Sequence, residues 1–223
     1  MEGVGNERGR TMCTFEYVAK SKTKPVKRDI IELISLVQNE VRNKFSFQFQ
    51  FIGSESRNMV TWNPKSNIGF DFDVNIYVND DEENYTAKEI KEILMRAFNK
   101  YARQYGYDFC ENSTRVFTIK VKDKVNSRIL HSCDFAVVYD CADGCQQYIR
   151  FHKPSEYYSW EYQPKGFYRL PEKIAFCKEN GLWQEVRELY LQKKSENKDS
   201  NKKSRNIFAE TVHQICQING FYD

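Results

Sequence analysis

The segment Ile68-Gly69-Phe70-Asp71-Phe72-Asp73-Val74-Asn75-Ile76-Tyr77-Val78 constrains the fold more than any other part of the 223-residue chain. Apolar and polar residues alternate along it, the pattern of a strand with one buried face. Residues two apart on a strand point the same way, so Asp71 and Asp73 stand side by side, opposite Phe70, Phe72 and Val74. Two carboxylates held together repel unless a cation lies between them. Hard divalent ions such as magnesium take oxygen ligands and are commonly held by one or two carboxylates plus substrate phosphates.

A third acid, Asp134, sits in the apolar run Ser132-Cys133-Asp134-Phe135-Ala136-Val137-Val138. A charge inside a buried strand is costly unless it is paired or binds metal. If this strand lies beside 68–78, three carboxylates meet, a set able to hold two metals about 3.5–4 Å apart for in-line phosphoryl chemistry. Upstream, Phe45-Ser46-Phe47-Gln48-Phe49-Gln50-Phe51 alternates strictly and reads as a strand with four Phe on one face. It runs into Gly53-Ser54, followed by Glu55-Ser56-Arg57-Asn58, a candidate helix start. Glycine lets a backbone approach a phosphate closely, and N–H groups at a helix start with a Ser hydroxyl form an anion site. Gly53 and Ser54 are therefore candidate phosphate ligands.

The remaining elements follow from periodicity and caps. Residues 1–24 read as a frayed, basic leader. Pro25 suits a first helical turn, and Ile30, Leu33, Ile34, Val37 and Val41 recur at helical spacing over 26–44. Thr86 with Glu89 three residues on forms a capping box, opening a helix to about 104. Strands are expected at 116–121, 129–139 and 147–152, the last two joined by a hairpin at Asp143-Gly144. Residues 154–171, rich in Tyr, Trp and Pro, read as an irregular connection. Helices follow at 172–179, at 182–194 and from Ile207 onward. The expected class is α/β (α+β), with a mixed-sheet core over 25–153 and a helical C-terminal lobe over 154–223.

Gly-Ser after a strand, Asp-x-Asp on the next and a lone Asp on a later one together resemble the nucleotidyltransferase superfamily, whose fold is that of the DNA polymerase beta palm. The likeness covers about 26–152 and rests on Gly53, Ser54, Asp71, Asp73 and Asp134. The helical part is nearest in outline to the oligoadenylate synthase and cyclic dinucleotide synthase branch. The resemblance implies Mg²⁺ or Mn²⁺ on Asp71, Asp73 and Asp134, with a nucleoside triphosphate (NTP) as substrate. A hydroxyl attacks the α-phosphorus and pyrophosphate leaves. It also implies a cation for the triphosphate from the helical part, where Lys193, Lys194, Lys202, Lys203 and Arg205 are candidates. Lys194 and Lys203 represent that group here, with Ser204 as a phosphate contact or N-cap. Sixteen residues separate Ser54 from Asp71, more than the family usually shows. The extra piece, 60–67, reads as a hairpin over the nucleotide, or else Gly53-Ser54 is an ordinary turn.

Composition sets outer limits. Lys and Arg number 34 against 31 Asp and Glu, a net charge of +3, too mild to define a nucleic-acid binder. No apolar run approaches the ~18 residues of a membrane span, and the polar start carries no secretory signal. The seven scattered cysteines read as reduced thiols, so the expected setting is cytoplasmic, without a membrane partner. His131, Cys133, Cys141 and Cys145 are zinc-ligand types, but thiols flanking a tight hairpin are the simpler reading. Tyr157, Tyr158, Trp160, Tyr162, Phe167 and Tyr168 read as packing, with base stacking as the alternative. The acceptor is left open among nucleotide, RNA, small molecule and protein. The rival function is a catalytically silent nucleotide- or RNA-binding module of the same fold, such as a sensor or a toxin–antitoxin component.

Overall fold

The computed structural model describes residues 14–80 and 82–221, so the expected leader lies outside the described residues as far as residue 13. The chain divides into two compact units. One spans Tyr17–Gly166; the other contains, among the described residues, 14–16 and 167–221.

In chain order the elements begin with β1 (Glu16–Tyr17), α1 (Lys20–Val41), β2 (Ser46–Ile52), β3 (Thr61–Trp62) and β4 (Phe70–Asn79). Then follow α2 (Ala87–Tyr101), β5 (Glu111–Asn112), β6 (Phe117–Asp123), β7 (Arg128–Asp140), β8 (Gln146–His152) and β9 (Tyr157–Tyr162). Seven strands form one mixed sheet in the order β2-β4-β7-β6-β5, with β8 added along the end of β7 and β9 beyond it. β4 and β7 run parallel, and the other neighbours are antiparallel. A parallel pair needs a crossover, and α2 lies within the one that joins β4 to β7.

The hydrophobic pattern decides which face the helices cover. Ile30, Leu33, Ile34, Val37 and Val41 of α1, with Ile90, Leu94, Ala97 and Phe98 of α2, pack on Phe70, Phe72, Val74 and Ile76 of β4 and Cys133, Phe135 and Val137 of β7. Phe45 and Phe47 are buried in the same core, and Phe49 and Phe51 are half-buried against it. Phe117 stacks on Phe135 at 5.1 Å, and Phe98 meets Phe135 at 4.5 Å. Each such side chain, fully buried, contributes about 1.5–3 kcal/mol. The alternate residues of β4 and β7 carry the acids on the opposite, open face.

One charge is sealed inside this unit. Lys91 of α2 is 1% exposed and donates to the Ser113 carbonyl at 3.0 Å. Burial pulls its ammonium down to about 8 from the usual 10.5. A lysine depressed in the folded state costs stability below its unfolded pKa, and the cost fades as pH rises from 8 to 10.5. Lys91→Met is therefore expected to stabilise the protein at pH 7 by about 1–2 kcal/mol, after the lost hydrogen bond is counted. Urea titrations at pH 7 and pH 10.5 check this. A stabilisation that persists undiminished at pH 10.5 would contradict the cause given.

Several expectations shift. The helix α1 starts at Lys20 rather than 26, with Pro25 inside it. The missing N–H falls near the frayed end, where Lys22 and Thr23 donate to Ala19. The capping box forms as expected: Glu89 N–H donates to the Thr86 hydroxyl and Thr86 N–H to Glu89. The stretch expected to be irregular after 153 contains strand β9, in register with β8 (Ile149 opposite Trp160, Phe151 opposite Tyr158). Tyr158 and Trp160 pack on the core while Glu161 bonds Arg150 at 2.9 Å, so the run alternates like any half-buried strand. The larger unit accordingly extends to Gly166, past the expected boundary at 153.

The other unit is helical: α3 (Leu170–Glu179), α4 (Trp183–Glu196) and α5 (Ser204–Ile218). Cys177, Val186, Tyr190, Ile207, Phe208, Val212, Ile215 and Cys216 are its buried residues. The amide N–H groups of Thr14 and Phe15 donate to the Ser195 hydroxyl, each at 3.2 Å.

Candidate active site

Strand register brings the three acids together. Asp73 of β4 pairs with Asp134 of β7, and Asp71 pairs with Ser132. On the flanks Ile52 of β2 pairs with Asp73, and Thr118 of β6 with Asp134. One row across four strands thus reads Ile52, Asp73, Asp134, Thr118, with neighbours about 4.8 Å apart. Asp71 stands two residues before Asp73 on the same open face.

The carboxylates are held in tension. Burial raises Asp73 from the usual 3.8 to about 7, and the nearby Asp71 and Asp134 add to the rise; Arg57 opposes it. Burial also raises Asp134, against the Thr118 hydroxyl, which donates to Asp134 Oδ1 at 2.6 Å. Asp71 raises Asp134 further, and Lys120 on the next strand lowers it. Neither Thr118 nor Arg57 was singled out by the sequence. Thr118 becomes visible only once β6 is in register with β7.

Gly53 is fitted against this cluster. Its φ is +65°, and a Cβ placed there would lie 2.4 Å from Asp73 Oδ2. No other residue type combines that backbone with that approach. The expected helix after Ser54 is a single 3₁₀ turn, Glu55–Arg57, closed by Asn58 at φ 55°. It ends there because Met59 N–H turns back to the Ser54 carbonyl at 2.8 Å and Met59 and Val60 are buried. Ser54 has helical dihedrals, and in a 3₁₀ turn side chains three apart eclipse, so Arg57 projects on the side of Ser54. Lys27 neutralises Glu55 at 2.6 Å. The extra piece between Ser54 and Asp71 forms β3, which pairs with β1, and Val18 N–H donates to Val60. Asn63 makes the expected turn, its Oδ1 accepting from Lys65 N–H at 3.0 Å.

Lys194, Lys203 and Ser204 belong to the helical unit. Lys194 Nζ lies over the Phe15 ring at 4.7 Å and the Tyr190 ring at 5.8 Å. Lys203 donates to the Ser200 carbonyl at 3.2 Å, and Ser204 opens α5. The zinc-type residues do not converge. Cys133 is fully buried and His131 stacks on Phe70 at 5.6 Å, both on the core face. Cys141 lies eight residues further along β7, about 26 Å at strand rise, and bonds Cys145 across the hairpin.

The oxygen donors of Asp71, Asp73 and Asp134 fit a hard divalent cation, and a cation there would relieve the repulsion that raises Asp73. Among the described residues no group of three or more His, Cys, Asp or Glu is already drawn into a metal cage. Asp134 Oδ1 is engaged by Thr118 instead.

This arrangement is a nucleotidyltransferase fold, a mixed sheet with the acids on the face away from the helices. Among solved structures, the apo form of Vibrio cholerae DncV superposes with a TM-score of 0.55 at 14% identity, over 89% of this chain and 53% of that one. Its 3′-deoxy ATP form gives 0.54 at 14% identity, over the same 89% and 53%. The DncV cyclic AMP-GMP synthase with the linear intermediate 5′ pppA(3′,5′)pG gives 0.51 at 13% identity, over 89% and 54%. The chain spans about half the length of these proteins. No protein-family model matches it, and no curated protein does. Among the described residues, no helix is long and apolar enough to cross a membrane.

Proposed function

We propose that this chain is a metal-dependent nucleotidyltransferase that moves a nucleoside monophosphate from an NTP to a hydroxyl. The observation that carries the reading is the pairing of Asp73 with Asp134 on adjacent parallel strands, with Asp71 beside them and Gly53 wedged against the Asp73 carboxylate. Nucleotide complexes of DncV, with the same fold, support the substrate class.

Asp71, Asp73 and Asp134 would hold Mg²⁺ or Mn²⁺, which offsets triphosphate charge and acidifies the attacking hydroxyl when bound. Gly53 leaves room for the phosphates beside Asp73, where Ser54 offers a hydroxyl and Arg57 a guanidinium, a group that matches phosphate in a fork. Lys194, Lys203 and Ser204 are the candidates for a further phosphate contact. The acceptor oxygen bonds to the α-phosphorus as the bridge to the β-phosphorus breaks. Pyrophosphate leaves, and the hydroxyl proton passes to solvent.

One observation favours the silent module instead. The carboxylates do not form a cage, and Thr118 occupies an oxygen of Asp134. Incubation with each α-labelled NTP and Mg²⁺ or Mn²⁺ decides between them. Pyrophosphate and a labelled product are expected from wild type and not from Asp73→Ala. Metal-dependent NTP binding with no product, across nucleotide, RNA and protein acceptors, would favour the silent module. No binding at all would overturn both.

A further inference from the structure

A cavity of about 340 Å³ lies at the far end of the sheet, on its helix-covered side. Val78, one of its lining residues, is five residues beyond Asp73, about 16 Å along β4, and points to the other face. The cavity belongs entirely to the larger unit and shares no residue with the carboxylate row.

We propose that this cavity binds a small organic cation, an ammonium head on an apolar body. Three aromatic rings line it: Tyr85, Tyr139 and Trp160. The rings of Tyr139 and Trp160 lie 6.4 Å apart at 64°, two walls meeting at an angle. Cations are attracted to the faces of such rings, tryptophan most of all. Val78, Ala87 and Ile90 supply an apolar lining for the body of the ligand.

Charge selects the sign. The lining contains Asp80 and Glu83 and no Lys, Arg or His. Asp80 is fixed in place, accepting from Asn84 N–H at 3.1 Å and Tyr85 N–H at 2.9 Å. The start of α2 at Thr86 brings the opposite sign, but only about half a positive charge. Its free N–H groups are also already engaged by the capping box of Thr86 and Glu89. Two carboxylates outweigh that dipole, so an anion is repelled. A neutral ligand of equal shape forgoes both the ring attraction and the charge. The volume is at the lower end of the range for small-molecule sites, about 300–1,000 Å³.

The test titrates the full chain with acetylcholine and with its uncharged carbon isostere, 3,3-dimethylbutyl acetate, by calorimetry and tryptophan fluorescence. Saturable binding of the cation is expected, about tenfold tighter than the isostere. Trp160→Leu should weaken the cation about tenfold and leave the isostere nearly unchanged. Because Trp160 also packs on the core, exposed Glu83→Gln gives a second reading without risk to folding, with about threefold weaker binding. Asp73→Asn should bind the cation like wild type. Equal affinity for the isostere, binding indifferent to both Trp160→Leu and Glu83→Gln, or no saturation by wild type would each overturn the proposal.

Discussion

Asp73→Asn should lose nucleotidyl transfer by at least about 10³-fold while making the metal-free protein more stable at pH 8. The two effects have one cause. Asp73 is buried beside two other carboxylates, and its pKa is raised from 3.8 to about 7. A group raised in the folded state is harmless below its unfolded pKa and costs stability as pH climbs through the folded value. Wild type therefore carries no penalty at pH 4 and the full one at pH 8, where both states are ionised. At about 1.36 kcal/mol per unit the penalty is bounded near ~4 kcal/mol, and the open face relaxes it to about 2. Asparagine keeps the shape without the charge. The expected result is no difference in melting temperature at pH 4 and a gain of about 5 °C for the variant at pH 8. Adding Mg²⁺ at pH 8 should stabilise wild type and leave the variant nearly unmoved. A variant less stable than wild type at pH 8 would mean that Asp73 is an ordinary structural carboxylate, and the metal reading would go with it.

The site was legible where chemistry and strand periodicity coincide. Asp71 and Asp73 in an apolar alternation declare both a strand and its open face, and Asp134 declares the partner strand by its cost. Gly53-Ser54 was legible as a close approach but not as a turn. What ends the turn is the burial of Met59 and Val60 and the left-handed Asn58, which are tertiary facts. Arg57 was hidden for the same reason, since its side depends on whether three residues form a 3₁₀ turn or the start of a longer helix. Thr118 was hidden because a threonine in a strand carries no signal until the neighbour is known. The strand at 157–162 was missed because six residues between Pro154 and Pro164 look like a linker, and only pairing with β8 gives them a register. Local periodicity thus gave the elements that carry their own hydrophobic face, and missed those whose conformation is imposed by a neighbour.

The sharpest test of the site compares two glycines. Gly53 and Gly106 both have left-handed backbones, at φ +65° and +79°. An alanine at either position carries the strain of that conformation, about 1–2 kcal/mol. Their surroundings differ. A Cβ at 106 meets nothing within 4 Å, whereas at 53 it would lie 2.4 Å from Asp73 Oδ2. That oxygen is the far end of a side chain able to rotate, so the clash is relieved by swinging the carboxylate out of its row rather than by unfolding. Gly53→Ala and Gly106→Ala should therefore lose similar stability in urea, about 1–2 kcal/mol each. Only Gly53→Ala should lose turnover, by about 10²-fold or more, because Asp73 no longer stands opposite Asp134. Metal-dependent NTP binding should fall with it. Turnover is measured at a temperature where both variants are fully folded by circular dichroism. Equal activity in the two variants would show that the contact between Gly53 and Asp73 is packing alone. A loss confined to Gly53→Ala would tie the conformation of one glycine, through one carboxylate, to the chemistry of the whole sheet face.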